Sequence, residues 1–543
     1  MARLSGGQAI VKSLKSYGVD TIFGLPGIQL DHLFNALYDE GNSIHVLNAR
    51  HEQGTAYMAF GYAQSSGKVG VYAVVPGPGL LNTTAALATA YGCNAQVLAL
   101  TGQIPAAAID QGYGLLHEIP DQLGLIRKIT KSAARIDHAS EAPQRVREAS
   151  TALRSGVPGP VELEMAMDLL GVPGEVQLLE PVAPLPNPAV DTDAVVRAAK
   201  LLGHAQRPLI VCGGGAVHAA DEVLQVAELL QAPVITGRLG RGIVSDKHYL
   251  SMDQPMGHKL WRDTDAVLAV GTRLQQHRQV WGTDDALKVV RIDLDPTQMV
   301  RIDVPEVGIV ADAADGLAAL ADALEEVNRS RPSREEELTA FKAGVCAHIE
   351  AKLGPQCAFI KAMREALPED GIYVDELTQV SYVARSMFPV YAPRTFIASG
   401  YQGTLGSGFP TALGVKVANP DKAVLSVNGD GGFMFNVQEL SSAVQHGIDI
   451  VAVVFNDGAY GNVKRMQEDL YGGRVIATAL RNPDFVKLAE SFGVHGVRAE
   501  GPGELRKALD EAFARNATTL IDVPVGKMPE PWGVSQPMAR SRG

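Results

Sequence analysis

Two carboxylates and the glycines around them, late in the chain, are the residues best suited to chemistry. Gly429-Asp430-Gly431 follows an apolar run at 423–427, and Asn456-Asp457 follows a β-branched run at 448–455, with 24 residues between the Gly-Asp-Gly and the Asn-Asp pair. Asp430 and Asp457 offer hard oxygen ligands of the kind Mg²⁺ prefers, and the glycines let backbone N–H groups close on a diphosphate at a helix start. A metal bridging carboxylates to phosphate oxygens is the chemistry this pattern suggests. A third carboxylate, Glu52, stands in Arg50-His51-Glu52-Gln53-Gly54, ahead of small and apolar residues. On its own it reads as a first-turn residue stabilised by the helix dipole.

The elements that must hold these groups follow from periodicity. The runs at 423–427 and 448–455 read as strands buried on both faces of a parallel sheet. Between them Asn436 is expected to cap a helix whose Val437, Leu440 and Val444 share a face, with Gly447 ending it. A right-handed crossover then sets both strand C-termini on one edge, where open α/β sheets bind ligands.

Residues 1–170 alternate in the same way: helix 7–17, strand 21–23, helix 29–38, strand 45–48, then a helix from Glu52. The turns Gly24-Leu25-Pro26-Gly27 and Pro76-Gly77-Pro78-Gly79 would let a flat ligand approach the backbone. Residues 171–189 are Pro-rich and read as a linker. A second α/β unit occupies 190–325; its Gly213-Gly214-Gly215-Ala216 turn is half of a dinucleotide fingerprint, without the third Gly or the acidic residue after the next strand. Residues 326–355 read as a charged, partly helical surface linker, and 356–530 form the third unit. The fold class expected is α/β, with three doubly wound parallel-sheet domains.

A chain of 543 residues is too long for one core. Its net charge of -12, without long like-charge runs, argues against non-specific nucleic-acid or anionic-membrane binding. The four cysteines form no C-x-x-C pair, and neither a signal peptide nor a bilayer-long apolar run is visible, so a reduced cytoplasm is the expected setting.

The Gly-Asp-Gly, its spacing and the Asn-Asp pair resemble the thiamine diphosphate and Mg²⁺ motif, with Asp457 where that family often has Asn. The resemblance extends over nearly the whole chain and is closest to the acetolactate synthase and benzaldehyde lyase group. It implies a pyrimidine-binding unit, a middle unit and a diphosphate-binding unit, at 1–170, 190–325 and 356–530. Asp430 and Asp457 would ligate Mg²⁺ by side chain and Ala459 by its carbonyl. Glu52 would hydrogen-bond the aminopyrimidine, a carboxyl in an apolar setting being suited to sharing a proton. Pro26 and Gly27 would line the pyrimidine. Thr378 and Gln379, in Asp375-Glu376-Leu377-Thr378-Gln379, would meet the diphosphate, as would Gly429, Gly431 and Gly432, with Tyr460 and Gly461 close by. In the loop Gly400–Gly408, the Gly403 carbonyl would accept from the cofactor's amino group and Leu405 would wedge the cofactor into its bent shape. FAD in the middle unit is possible but not favoured.

In such enzymes the cofactor supplies the carbon nucleophile and the electron sink, and the pyrimidine unit of one subunit faces the diphosphate unit of another. A homodimer or homotetramer is therefore implied. The reacting carbon would be faced by Gln29, His117 and Glu118, and by Tyr460, Val463 and Met466. Met466 stands where biosynthetic acetolactate synthases carry Trp, His277-Arg278 near their substrate-recognising Arg, and His117-Glu118 at their Phe-Gln pair. A His and a Glu there would suit proton transfer to a hydroxylated or aldehyde substrate. The expected function is a carbon–carbon lyase or carboligase acting on 2-keto acids, acyloins or aldehydes, with an aldehyde-releasing decarboxylase as the alternative; a non-catalytic homologue would be expected to lack Glu52 or Asp430.

Overall fold

Strands are numbered in chain order. The computed structural model describes residues 1–542 and opens with β1 (Ala2–Ser5), paired antiparallel with the distant β8 (Pro173–Val176). Three six-stranded parallel sheets follow. The first holds β2 (Thr21–Gly24), β3 (His45–Asn48), β4 (Gly70–Val74), β5 (Val97–Gln103), β6 (Ser132–Ile136) and β7 (Val161–Ala166), in the order β3-β2-β4-β5-β7-β6. The second holds β9 (Pro208–Cys212), β10 (Val234–Thr236), β11 (Ser251–Met252), β12 (Ala266–Val270), β13 (Lys288–Asp293) and β14 (Val307–Val310), in the order β11-β10-β9-β12-β13-β14. The third holds β15 (Ile372–Asp375), β16 (Phe396–Ala398), β17 (Val424–Gly429), β18 (Val451–Asn456), β19 (His495–Arg498) and β20 (Thr519–Pro524), in the order β16-β15-β17-β18-β20-β19. With helices on both faces of each, the expected fold class is the observed one. The outer two sheets repeat one strand order; the middle sheet has the order of dinucleotide-binding folds.

Strands such as β4 and β18 are apolar throughout because both faces are covered. One core runs from Phe23 and Tyr72 on the first sheet, through Phe60, Phe409 and Leu413, to Val454 on the third. The opposite face of the third sheet, with Leu425, Val427 and Val453, shares its core with the middle sheet. The first and third sheets meet through helices Glu52–Ser66 and Gly408–Ala418, which follow the edge strands β3 and β16. Glycine makes their close approach possible: a Cβ at Gly61 would overlap the Thr411 carbonyl oxygen, and one at Gly414 the Met58 carbonyl oxygen.

Several expectations are corrected. Asn436 does not cap a helix; a 3₁₀ turn, Val437–Glu439, precedes helix Leu440–His446, and the Asn436 amide donates to the Gly406 carbonyl (2.6 Å) and Gln53 Oε1 (3.1 Å). Val444 faces solvent, although Gly447 ends the helix in the left-handed region as expected. Part of the Pro-rich stretch is strand β8. Much of 326–355 belongs to helix Glu335–Ala366, kinked at Leu353 before Pro355, with Leu338, Val345 and Ile349 buried. Among the described residues no helix is long and apolar enough to cross a membrane, and all four cysteines are free.

Candidate active site

The C-terminal ends of β15, β17 and β18 lie side by side and bring Thr378, Gln379, Asp430 and Asp457 to one edge. Asp430 Oδ2 accepts from the Gly458 N–H (3.0 Å) and Asn482 Nδ2 (2.6 Å). Asp457 accepts from the Ala459 N–H (3.1 Å) and Gln379 Nε2 (2.9 Å). Burial raises both carboxyls, and the Asp430 charge helps push Asp457 up to about 6. Two adjacent, partly desolvated carboxylates disfavour each other's charge unless a cation joins them. No set of three or more His, Cys, Asp or Glu side chains converges on a metal position among the described residues. A cation held here would therefore need a carbonyl and phosphate oxygens as well, the ligand mixture typical of Mg²⁺. The bridge between Ala459 and Ala479 uses Tyr460 N–H to the Thr478 carbonyl (2.9 Å) and Leu480 N–H to the Gly458 carbonyl (2.8 Å), so it leaves the Ala459 carbonyl unspent.

The glycines have specific neighbours. A Cβ at Gly431 would stand 2.7 Å from the Tyr460 ring, one at Gly429 3.1 Å from the Leu377 carbonyl oxygen, and one at Gly461 would strike Asp457. At Gly432 it would overlap the Glu376 carboxylate. Glu376 accepts from the Gly406 and Gly408 N–H groups (2.9 Å each), which fixes the loop bearing Gly403 and the half-buried Leu405; burial pushes its carboxyl up to about 7. Thr378 and Gln379 are spoken for by protein partners. The Thr378 hydroxyl accepts from the Ser381 N–H (2.8 Å), and the Gln379 oxygen accepts from Met528 N–H (2.9 Å) and Arg465 Nη2 (3.2 Å).

A second cluster forms on the first sheet. Glu52 opens its helix with Oε2 accepting from Asn82 Nδ2 (3.0 Å), beside Gly79. Val75 packs on Gly27 and Gly79, next to Pro26. Buried Gln29 donates through Nε2 to the Leu116 carbonyl (3.2 Å), so its oxygen faces His117 Nδ1 (3.2 Å). That orientation makes Nδ1 the donor to Gln29 and leaves Nε2 without a protein hydrogen-bond partner among the described residues. His117 has φ 68°, and its carbonyl presses on Gly77, where a side chain would not fit. The Gly77 N–H donates to Gln122 (3.0 Å), whose amide donates to Glu164 (2.8 Å), itself paired with Arg135 (2.5 Å). Glu118 is turned away from this cluster: its carboxylate accepts from the Leu115 N–H (2.8 Å) within its own turn.

The sequence reading missed Asn82, Gln122, Glu376 and Asn482 as site neighbours. Each acts through a tertiary hydrogen bond that no local motif announces, although Glu376 lay inside the quoted stretch before Thr378. His277 and Arg278 are not at either cluster. His277 lies between Trp281 (4.3 Å) and Trp261 (5.4 Å), and burial pushes it down to about 3; Arg278 pairs with Asp303. Among the described residues no hydrogen bond joins Gln29, Glu52 or His117 to Asp430 or Asp457 within the chain.

Comparison with known proteins gives three matches to family models: the N-terminal TPP binding domain of thiamine pyrophosphate enzymes over residues 4–125, their central domain over 195–320, and their C-terminal TPP binding domain over 376–523. The chain is 34% identical to a probable acetolactate synthase large subunit of Methanocaldococcus jannaschii, over 96% of this chain and 92% of that protein. It is 32% identical to the acetolactate synthase large subunit of Haemophilus influenzae, over 97% and 95%. It is 31% identical to a probable 2-ketoarginine decarboxylase, AruI, of Pseudomonas aeruginosa, over 96% and 94%.

Proposed function

The chain belongs to the thiamine pyrophosphate enzymes, and we propose that it is a magnesium-dependent, cytoplasmic carboligase and lyase acting on 2-keto acids, acyloins or aldehydes, nearest in kind to acetolactate synthase. The bound cofactor supplies the carbon nucleophile and electron sink for making or breaking a bond next to a carbonyl. Asp430, Asp457 and the Ala459 carbonyl hold Mg²⁺ on the diphosphate, against Gly429, Gly431 and Gly432. Gly403 and Leu405 position the thiamine from the third sheet, and Pro26 and Gly27 line it from the first. Glu52 holds a proton at the aminopyrimidine. FAD has no part in this reading, because Gly213 and Gly215 are accounted for by close packing on Gly271 and Thr272.

The observation that supports the substrate class is the Gln29–His117 pair. A histidine with Nδ1 committed and Nε2 open accepts a proton from a hydroxyl and returns it to an oxygen or carbon. That suits the cleavage or formation of a hydroxyketone. The same group would also protonate after decarboxylation, and the relationship to a probable 2-ketoarginine decarboxylase favours a 2-keto acid decarboxylase as the second reading.

We assign the complete site to two copies of the chain, the 1–170 unit of one facing the 356–530 unit of the other, in a homodimer or homotetramer. Among the described residues no hydrogen bond joins Gln29, Glu52 or His117 directly to Asp430 or Asp457, and both flanks expose large apolar groups: Leu116 on one side (64% exposed), Phe435 (50%), Val463 (50%) and Met466 (46%) on the other. Exposed apolar groups of this kind mark a partner or substrate surface. The test is an assay for carbon dioxide and products with thiamine diphosphate and Mg²⁺, offering pyruvate alone and then pyruvate with an aldehyde. A coupled hydroxyketone is expected. Free aldehyde as the main product would establish the decarboxylase, and no turnover of any 2-keto acid, acyloin or aldehyde would overturn both readings.

A further inference from the structure

The polar groups behind Asp430 form a directed chain. Asp522, buried on β20, accepts from Arg498 Nε (3.1 Å) through one oxygen and from Asn456 Nδ2 (3.2 Å) through the other. The Asn456 oxygen accepts from Asn482 Nδ2 (2.9 Å), and the same Asn482 nitrogen donates to Asp430 Oδ2 (2.6 Å).

The polarity of this chain is fixed at its far end. An ionised carboxylate only accepts hydrogen bonds, so Asp522 obliges Asn456 to turn its NH₂ toward it. The Asn456 oxygen must then face Asn482. Asn482 in turn must present its NH₂, whose second hydrogen falls on Asp430. A reversed Asn482 would set its carbonyl oxygen against the Asp430 carboxylate. Oδ2 of Asp430 is thus committed to Asn482 and the Gly458 N–H, which fixes how the carboxylate is presented to a cation.

We propose that Asn482 is a positioning residue for the Mg²⁺ ligand Asp430, and that Asp522, three hydrogen bonds from Asp430, sets the orientation through Asn456. This rests on the reading of Asp430 and Asp457 as Mg²⁺ ligands. Groups that orient metal-ligating carboxylates are commonly worth roughly 10–100-fold in metal affinity.

The test is a Mg²⁺ titration of thiamine diphosphate binding, read by calorimetry or protein fluorescence, for the full chain and the variants Asn482→Ala, Asp522→Asn and Asp430→Ala. Asp522→Asn keeps its shape but allows Asn456, and then Asn482, to reverse. Asn482→Ala and Asp522→Asn should each raise the half-saturating Mg²⁺ concentration about 10-fold or more, while thermal melting of the cofactor-free chain shows both folded. Asp430→Ala should abolish the Mg²⁺ dependence. An unchanged Mg²⁺ requirement in Asn482→Ala and Asp522→Asn, with Asp430→Ala defective, would overturn the positioning role alone. A normal Mg²⁺ requirement in Asp430→Ala would instead overturn the metal assignment beneath it.

Discussion

The first and third sheets share one strand order and place an equivalent helix after the edge strand, yet they treat the start of that helix differently. In the third sheet, helix Gly408–Ala418 is met by Glu376 from the end of the neighbouring strand, which takes the Gly406 and Gly408 N–H groups. In the first, the Arg50 and His51 N–H groups ahead of helix Glu52–Ser66 are taken by Glu439, a buried carboxylate of the third unit. The third unit holds both its helix start and the loop ahead of it; in the first, His51 Nδ1 caps the helix by accepting from the Gln53 N–H (3.1 Å), and the turn ahead of it is held from outside. The consequence falls on Glu52. With the N–H groups ahead of it already satisfied, its carboxylate has Asn82 as its hydrogen-bond partner among the described residues and stays available for a ligand. At the corresponding corner of the third sheet the carboxylate, Glu376, is spent on the Gly406 and Gly408 N–H groups, and charge is gathered at Asp430 and Asp457 instead.

Removing the free carboxylate tests this contrast most severely. Glu52→Gln should retain cofactor binding and slow exchange of the C2 proton of bound thiamine diphosphate by roughly 10²–10⁴-fold; normal exchange by NMR would remove Glu52 from its assigned role. Next in size is the seam between the two helices. Gly414→Ala, whose Cβ would overlap the Met58 carbonyl oxygen, should lower stability by about 1–3 kcal/mol in chemical denaturation. Glu439→Ala, which removes the acceptor for the Arg50 and His51 N–H groups, should cost about 1–3 kcal/mol and lower kcat as well, because the unpaired N–H groups compete for Glu52; stability loss without a change in kcat would break the proposed link between Glu439 and the catalytic carboxylate. A pH slope tests the buried carboxylate of the third unit. Burial raises the Glu376 carboxyl from 4.5 to about 7, so between those values the folded chain holds this proton more tightly than the unfolded chain. Stability should fall on this account as pH rises from 4.5 toward 7, and Glu376→Gln should flatten the slope whatever its absolute stability.

What was legible in the sequence was local. Strands buried on both faces announce themselves as apolar runs, and the Gly-Asp-Gly turn, the Asn-Asp pair and the carboxylate before a helix each stand at a strand end, where a parallel sheet must place them. Long-range pairing was not legible. Nothing near Pro173 indicates that it will meet Ser5 across an antiparallel ribbon, and the expected boundary between residues 355 and 356 falls inside a helix that runs past Pro355 with a kink. Asn436 has the residue type of a cap, but its amide found better partners in Gly406 and Gln53. Glu118 and His117 are adjacent in sequence, yet the positive φ at His117 sends the two side chains to different tasks.

The central claim is that the Glu52 half and the Asp430 half of one active site come from different copies. The most direct test is to mix two inactive variants, Glu52→Gln and Asp430→Ala, under conditions of subunit exchange with excess thiamine diphosphate and Mg²⁺. Shared sites predict that activity returns on mixing, because a mixed pair has both defects in one site and none in the other. A mixture that exchanges subunits and stays inactive would place both halves in a single chain and contradict the account.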